Sequence, residues 1–188
     1  DPFKIPDHWF VINAMDFGWE HPQAHVQLIE DRESGTFYVT QAWKESHVAP
    51  EVAWATVKPW SIGVPTSWPL DGLQTEKNGT ANQQKDYYID AGFDMLHAHA
   101  TWPDGTNGVE AGLYEIRDLM IKGRFKVDRN LRDFFNEFNQ YHRNQNGKIS
   151  KTMDDLLDAI RYAYMMRRYS IPWGERSRLT SPGVISSF

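Results

Sequence analysis

The 188-residue chain contains no cysteine, which excludes disulfides and thiolate metal sites and suits a reducing compartment. No stretch approaches the roughly 18 consecutive apolar residues that a membrane-crossing helix needs, and no secretory signal pattern opens the chain. Without such a signal, the triplet Asn78-Gly79-Thr80 reads as an accidental glycosylation match. There is no internal repeat, no low-complexity segment and no G-x-x-x-x-G-K-S/T phosphate loop. Positive charge is scarce at the front. Residues 1–110 hold 16 acidic residues against 6 Lys/Arg, whereas residues 111–188 hold 9 against 14, for a net charge of −5 overall. An acidic front half beside a basic rear half is compatible with a metal centre next to a phosphate-facing surface, and equally with uneven solvated charge. A net negative chain that does bind DNA is expected to bind weakly and with strong salt dependence.

What is present is enough apolar and aromatic sequence, 40% and 14%, for one domain with a real core. Residues 1–8, with Pro2 and Pro6, read as a linker, and a start at Asp1 suggests an excised domain. Three strands follow, over 8–16, 24–31 and 36–43, with Ser34-Gly35 turning the second into the third. The spacing then predicts a helix over 50–58, a strand over 62–68 interrupted by Pro65, a helix over 82–91 stopped by Gly92, and a strand over 93–99. A helix over 107–121, a short strand over 124–127 and a helix over 131–141 come next. A turn over 144–149 and a helix over 153–168 complete the folded region 9–169, leaving 170–188 as a tail. A three-stranded meander followed by alternating strands and helices predicts an α/β fold, a ribonuclease H-like mixed β-sheet flanked by helices.

Carboxylates stand where cores usually have none. Asp16 ends the first strand, in VINAMDFGWEHP, and a charge at the end of a buried run needs compensation from a hydrogen bond or a metal. Asp71 follows the fourth strand, in WPLDGL. Asp154, Asp155 and Asp158 begin the last helix, in KTMDDLLDAIRYA, on the face opposite or flanking Leu157 and Ile160. Each has a plain structural alternative. Asp71 before Gly72 is a common turn pair, Thr152 and Asp155 make a capping box, and Asp154 favours the helix dipole. Asp158 lies too far into the helix to cap. In a ribonuclease H-like sheet the first and fourth strands are neighbours, so these acids would converge. Magnesium takes hard oxygen ligands, and two such ions can clamp a phosphodiester, one activating water and the other stabilising the leaving 3′ oxygen.

The motifs MDFGWEHP, WPLDGL, NGVEAGLYEI, GRFKV and DDLLDAIRYAYMM occur in that order. Over residues 9–166 the chain resembles the C-terminal nuclease domain of tailed-phage large terminases, particularly the headful-packaging kind. The resemblance implies a metal-dependent endonuclease that cuts concatemeric viral DNA in the host bacterial cytoplasm, using Mg2+ or Mn2+, as two ions. It implies Asp16 as the first metal ligand, Asp71 as the second, and Asp158 or Asp155 as the third. It also implies double-stranded DNA, a preceding ATPase domain, a small terminase subunit and a portal as partners, with no membrane.

Other residues invite a role. Glu20 and His21 follow the first motif and can face metal or phosphate. Glu110 reads either as a site acid or as a cap paired with Asn107. His97 and His99 share one face of the predicted strand, a spacing that can bind zinc. Lys122, Arg124, Lys126, Arg129 and Arg132 form a basic run able to track phosphates or simply to meet solvent. Arg161 can pair with Asp158 or with phosphate. The rival readings are another nuclease of the same fold such as a resolvase, a non-catalytic DNA- or portal-docking module, and a zinc hydrolase.

Overall fold

The computed structural model describes residues 4–75, 82–140 and 154–180. In chain order the elements are β1 (Phe10–Asp16), β2 (Gln23–Asp31), β3 (Thr36–Glu45), α1 (Pro50–Ser61), β4 (Thr66–Ser67), α2 (Gln84–Ala91), α3 (Val109–Ile121), β5 (Phe125–Val127), α4 (Arg132–Gln140), α5 (Asp155–Met165), β6 (Ile171–Pro172) and α6 (Trp173–Thr180), with a short 3-10 turn at Leu70–Leu73. The mixed sheet runs β4-β1-β2-β3-β5. β1, β2 and β3 form the antiparallel meander, whereas β4 lies parallel to β1 and β5 parallel to β3. The expected α/β sheet flanked by helices is the observed one.

Alternation along β1 decides which residues meet which layer. Ile12 and Ala14, with Ala24, Val26 and Leu28 of β2, pack against Leu156, Ala159, Ile160 and Ala163 of α5. Met15 and Phe17 point to the other face, against Ala53 and Val57 of α1 and against Tyr88 and Phe93. Asp16 follows the even register and therefore faces α5.

Five expectations need correction. The strand expected over 62–68 is only Thr66–Ser67, and that over 93–99 is a single bridge between Thr66 and Met95. The two segments do run side by side, through Thr66 N–H to Asp94 O, Leu96 N–H to Thr66 O and Ala100 N–H to Trp68 O. Pro65 and Pro69 flank the pair and have no N–H to extend the ladder. The cap of α3 is Gly108, not Asn107. Residues 170–180 are not a plain tail: β6 pairs with the start of β1, and Trp173 N–H bonds Trp9 O. Residues 4–8 are likewise tied in, with Ile5 against the Val11, Ile29 and Val64 cluster. The capping box at Thr152, the turn over 144–149 and the Asn78 triplet lie outside the described residues.

The α1 face buries a histidine. His25 bonds Gln23 Oε1 at 3.0 Å through Nε2, and the same oxygen accepts the Tyr88 hydroxyl at 3.1 Å. Its ring stacks on Phe93 at 5.1 Å. Burial pulls its pKa down to about 3 from 6.5. The unfolded chain therefore takes up the proton first. Stability from this group is complete above pH 6.5 and is lost as pH falls toward 3, at up to about 1.4 kcal/mol per pH unit. Thermal melts between pH 7 and pH 5 are expected to fall less steeply in His25→Gln than in the wild type; equal slopes would contradict this.

Candidate metal centre

Register brings the acids together. Asp16 is opposite Ala24, which is opposite Lys44, so the C-terminal end of β1 and the end of β3 share one rim of the sheet. β4, parallel beside Asn13 and Ala14, delivers Asp71 to that rim through the 3-10 turn. α5 crosses the sheet beneath and presents Asp155 and Asp158. The Asp16 carboxylate is held well above the usual range, first by burial and then by repulsion from Asp158, Asp155 and Asp71, while Arg161 acts in the other direction. Tyr162 belongs to the same neighbourhood: burial, then Asp16 and Asp158, push its hydroxyl upward.

Two cations are built into this cluster. Arg161 is 3% exposed and donates from Nε (3.2 Å) and Nη2 (2.9 Å) to the same oxygen of Asp158, Oδ1. The second Asp158 oxygen takes no part in this pair. Lys44 reaches Glu137 and, at 4.0 Å, Asp155. Burial raises the pKa of both Glu137 and Asp155, with Lys44 opposing in each case.

Glycines shape the two loops. A Cβ on Gly72 would sit 2.5 Å from the Trp68 ring and 2.7 Å from Phe17, and one on Gly18 would sit 2.4 Å from His21 O. The Leu70–Leu73 turn is thus pressed onto Trp68 and onto Phe17, the residue after Asp16, whereas the loop at Gly18 folds tightly on its own backbone. Gly72→Ala is expected to lower the melting temperature, an overpacking effect of about 1–3 kcal/mol. It is also expected to reduce cleavage, measured on plasmid DNA, by more than the lost stability explains. Unchanged cleavage would show that the loop tolerates displacement.

Placement differs from expectation for several residues. Asp155, expected away from the core, is buried at 9% exposure, because it turns toward Lys44 and Glu137. Arg161 is enclosed and committed to Asp158, so it is not a surface contact for DNA. Lys122, Arg124, Lys126 and Arg129 are exposed but stand at the β5 edge, whose register with Phe37–Val39 corresponds to the Phe10 end of β1. Six residues of strand separate that level from Asp16, roughly 20 Å. Lys122 pairs with Asp118 at 2.6 Å, and Lys126 lies over Tyr38. His97 packs edge-on to Tyr169 and His99 to Trp68; with the strand absent they do not form a shared ligand face. Glu20 meets His47 at 3.3 Å, and His21 acts electrostatically on Asp155.

Lys44 and Glu137 escaped the sequence reading. Their signals were present: Lys44 follows Ala42 on the inward register of β3, and Glu137 lies three residues after Phe134 on the buried stripe of α4. A charge on an apolar stripe needs a partner.

The donor set is four aspartates, hard oxygen ligands suited to Mg2+ or Mn2+ and unsuited to soft metals. Among the described residues, no three His, Cys, Asp or Glu side chains already surround one point at coordination distance. Hard divalent ions in phosphoryl-transfer sites need only one or two carboxylates each, the rest being water and phosphate oxygen. Acids spread around Asp16 fit that pattern.

The chain matches the family model described as the terminase RNaseH-like domain over residues 13–167. It is 55% identical over 169 residues to the large terminase subunit of Salmonella phage P22, covering 90% of this chain and 34% of the relative, and 55% identical over 166 residues to that of Enterobacteria phage LP7, covering 88% and 35%. The chain thus spans about a third of the length of these curated relatives. It is similar to the solved P22 large terminase nuclease domain with a TM-score of 0.87 and 53% identity, covering 93% of this chain and 90% of that one. The nuclease domain of the SPP1 large terminase, solved with bound Mn, shares the fold at a TM-score of 0.59 and 18% identity, covering 82% and 84%.

Proposed function

Because the chain belongs to the terminase RNaseH-like domain family, we propose that it is a metal-dependent endonuclease that cuts concatemeric double-stranded viral DNA during genome packaging. The observation that carries this reading is the Asp16 carboxylate, partly buried and crowded by Asp158, Asp155 and Asp71. Folding brings these like charges together against their repulsion, and cations of higher charge than Arg161 and Lys44 supply what would offset it. The Mn-bound SPP1 relative supports Mg2+ or Mn2+ as the ion.

Asp16, at the end of a central strand, would hold the ions together with Asp71 and Asp158. The geometry favours Asp158 over Asp155 as the third ligand, since Asp158 is the leading like-charge neighbour of Asp16 and keeps one oxygen out of its Arg161 pair. Asp155, beside Lys44, would serve as a further acid at the edge of the site. Bound divalent ions supply a lowered water pKa and charge stabilisation at the phosphate. Arg161 holds the Asp158 carboxylate in one orientation, and the Phe17–Pro22 and Leu70–Leu73 loops hold the ligand spacing. In the overall reaction, water adds to phosphorus and the P–O3′ bond breaks, leaving a 5′-phosphate and a 3′-hydroxyl. Such chemistry needs no base readout, so little sequence preference is expected. An ATPase domain, a small terminase subunit and a portal are the partners this reading implies, and the host bacterial cytoplasm is its setting.

Supercoiled plasmid incubated with the protein and Mn2+, Mg2+ or EDTA tests the proposal. Nicked and linear products that require the divalent ion support it. Absence of cleavage, with a melting temperature unmoved by either ion, would favour a non-catalytic docking module.

A further inference from the structure

Lys44 and Glu137 have no step in the hydrolysis, yet they stand against it. The Lys44 ammonium lies 2.5 Å from Glu137 Oε1 and 4.0 Å from Asp155 Oδ2. Glu137 is 1% exposed. Its other oxygen, Oε2, accepts the backbone N–H groups of Leu156 at 2.9 Å and Leu157 at 3.3 Å. These are orphan amides of the first turn of α5, and the cap residue Asp154 makes no side-chain cap bond. α5 thus takes its cap from α4, and the carboxylate that caps it is fixed in place with one oxygen left for Lys44. Lys44 has two acids within reach and lies closer to Glu137 than to Asp155.

We propose that Glu137 is a positioning residue that sequesters Lys44 and so leaves the Asp155 carboxylate open to a divalent cation. This rests on the reading of the aspartate cluster as a metal centre. Glu137 keeps the ammonium on its own side; without that charge, Lys44 closes on Asp155 and competes there with the metal. A cap alone would not have this consequence, and neither would a metal ligand.

Mn2+ binding is measured by calorimetry on the wild type, Glu137→Gln, Lys44→Met and the double variant, with metal-free melts as the folding control. Gln keeps the size of Glu and can still accept one amide. Glu137→Gln is expected to weaken Mn2+ binding about tenfold, the order of effect of bringing one charge into direct contact with a ligand. It also raises the Mn2+ concentration for half-maximal plasmid cleavage more than it lowers the rate at saturation. Adding Lys44→Met restores Mn2+ binding, which removal of a competing cation does and repair of a lost cap does not. Weak binding that persists in the double variant overturns the proposal, and so does unchanged binding in a folded Glu137→Gln. If Glu137→Gln fails to fold, Lys44→Met alone decides: binding at least as tight as wild type supports the proposal, and weaker binding overturns it. A wild type that binds no Mn2+ refutes the metal centre itself, a separate outcome.

Discussion

Asp16→Asn is expected to abolish cleavage and, in the absence of divalent ions, to raise the melting temperature. The two effects have one cause. Asp16 is partly buried beside three other aspartates, and its pKa is raised well above 3.8 by desolvation first and like charges second. A carboxylate with a raised folded pKa makes the metal-free fold less stable at neutral pH. The penalty is relieved as pH falls through its folded value toward 3.8. Asn keeps the shape and removes the charge, so the metal-free fold gains. The same change removes a metal ligand. Charge stabilisation by a bound ion is worth several kcal/mol, so cleavage falls by at least about a thousandfold. Plasmid assays and melts in EDTA read both effects. A variant that is inactive but also less stable would mean that Asp16 is part of the packing instead.

Arg161→Met has the opposite sign in stability and is the second large effect. Arg161 neutralises Asp158 from inside the fold, with its side chain 4% exposed. Its aliphatic part fills the space over Gly112, where a Cβ would lie 3.0 Å from Arg161 Cγ. Removing one partner of a buried pair leaves the other charge uncompensated and costs about 3–5 kcal/mol. For a chain of this size that corresponds to roughly 6–20 °C in melting temperature. Met preserves most of the packing, so the loss reports the charge. Added Mn2+ should recover part of it, because Asp158 then gains another cation. Lys is not an adequate replacement, since two N–H groups of one guanidinium converge on one oxygen. A melting temperature within a degree of the wild type would show that the Arg161–Asp158 pair adds nothing to stability.

The first acid was legible because strand alternation is local: Phe10 to Met15 reads as a buried run, and a charge at its end stands out. That β4 lies beside β1 followed from the ribonuclease H-like order of elements, and with it the expected approach of Asp71; the parallel pairing itself came from the structure. The length of those strands was not legible, because the prolines at 65 and 69 act through ladder bonds whose partners lie about thirty residues away. The orientation of Asp155 was missed for a similar reason. Helical periodicity put it away from Leu157 and Ile160, but Lys44 from β3 and Glu137 from α4 form a polar pocket on the side it faces. Arg161 posed a choice between carboxylate and phosphate that only burial could settle. The distance of the basic run around Lys126 from Asp16 was not legible, because charge counting along the chain ignores which end of the sheet β5 joins.

The central claim is that Asp16 holds a metal. The most direct measurement is an anomalous difference map at the manganese edge from crystals of the wild-type protein grown with Mn2+. A peak within bonding distance of the Asp16 carboxylate, shared with Asp71 or Asp158, is the expected result. Peaks elsewhere on the surface, or none beside Asp16 at saturating Mn2+, would contradict it and return Asp16 to a purely structural role.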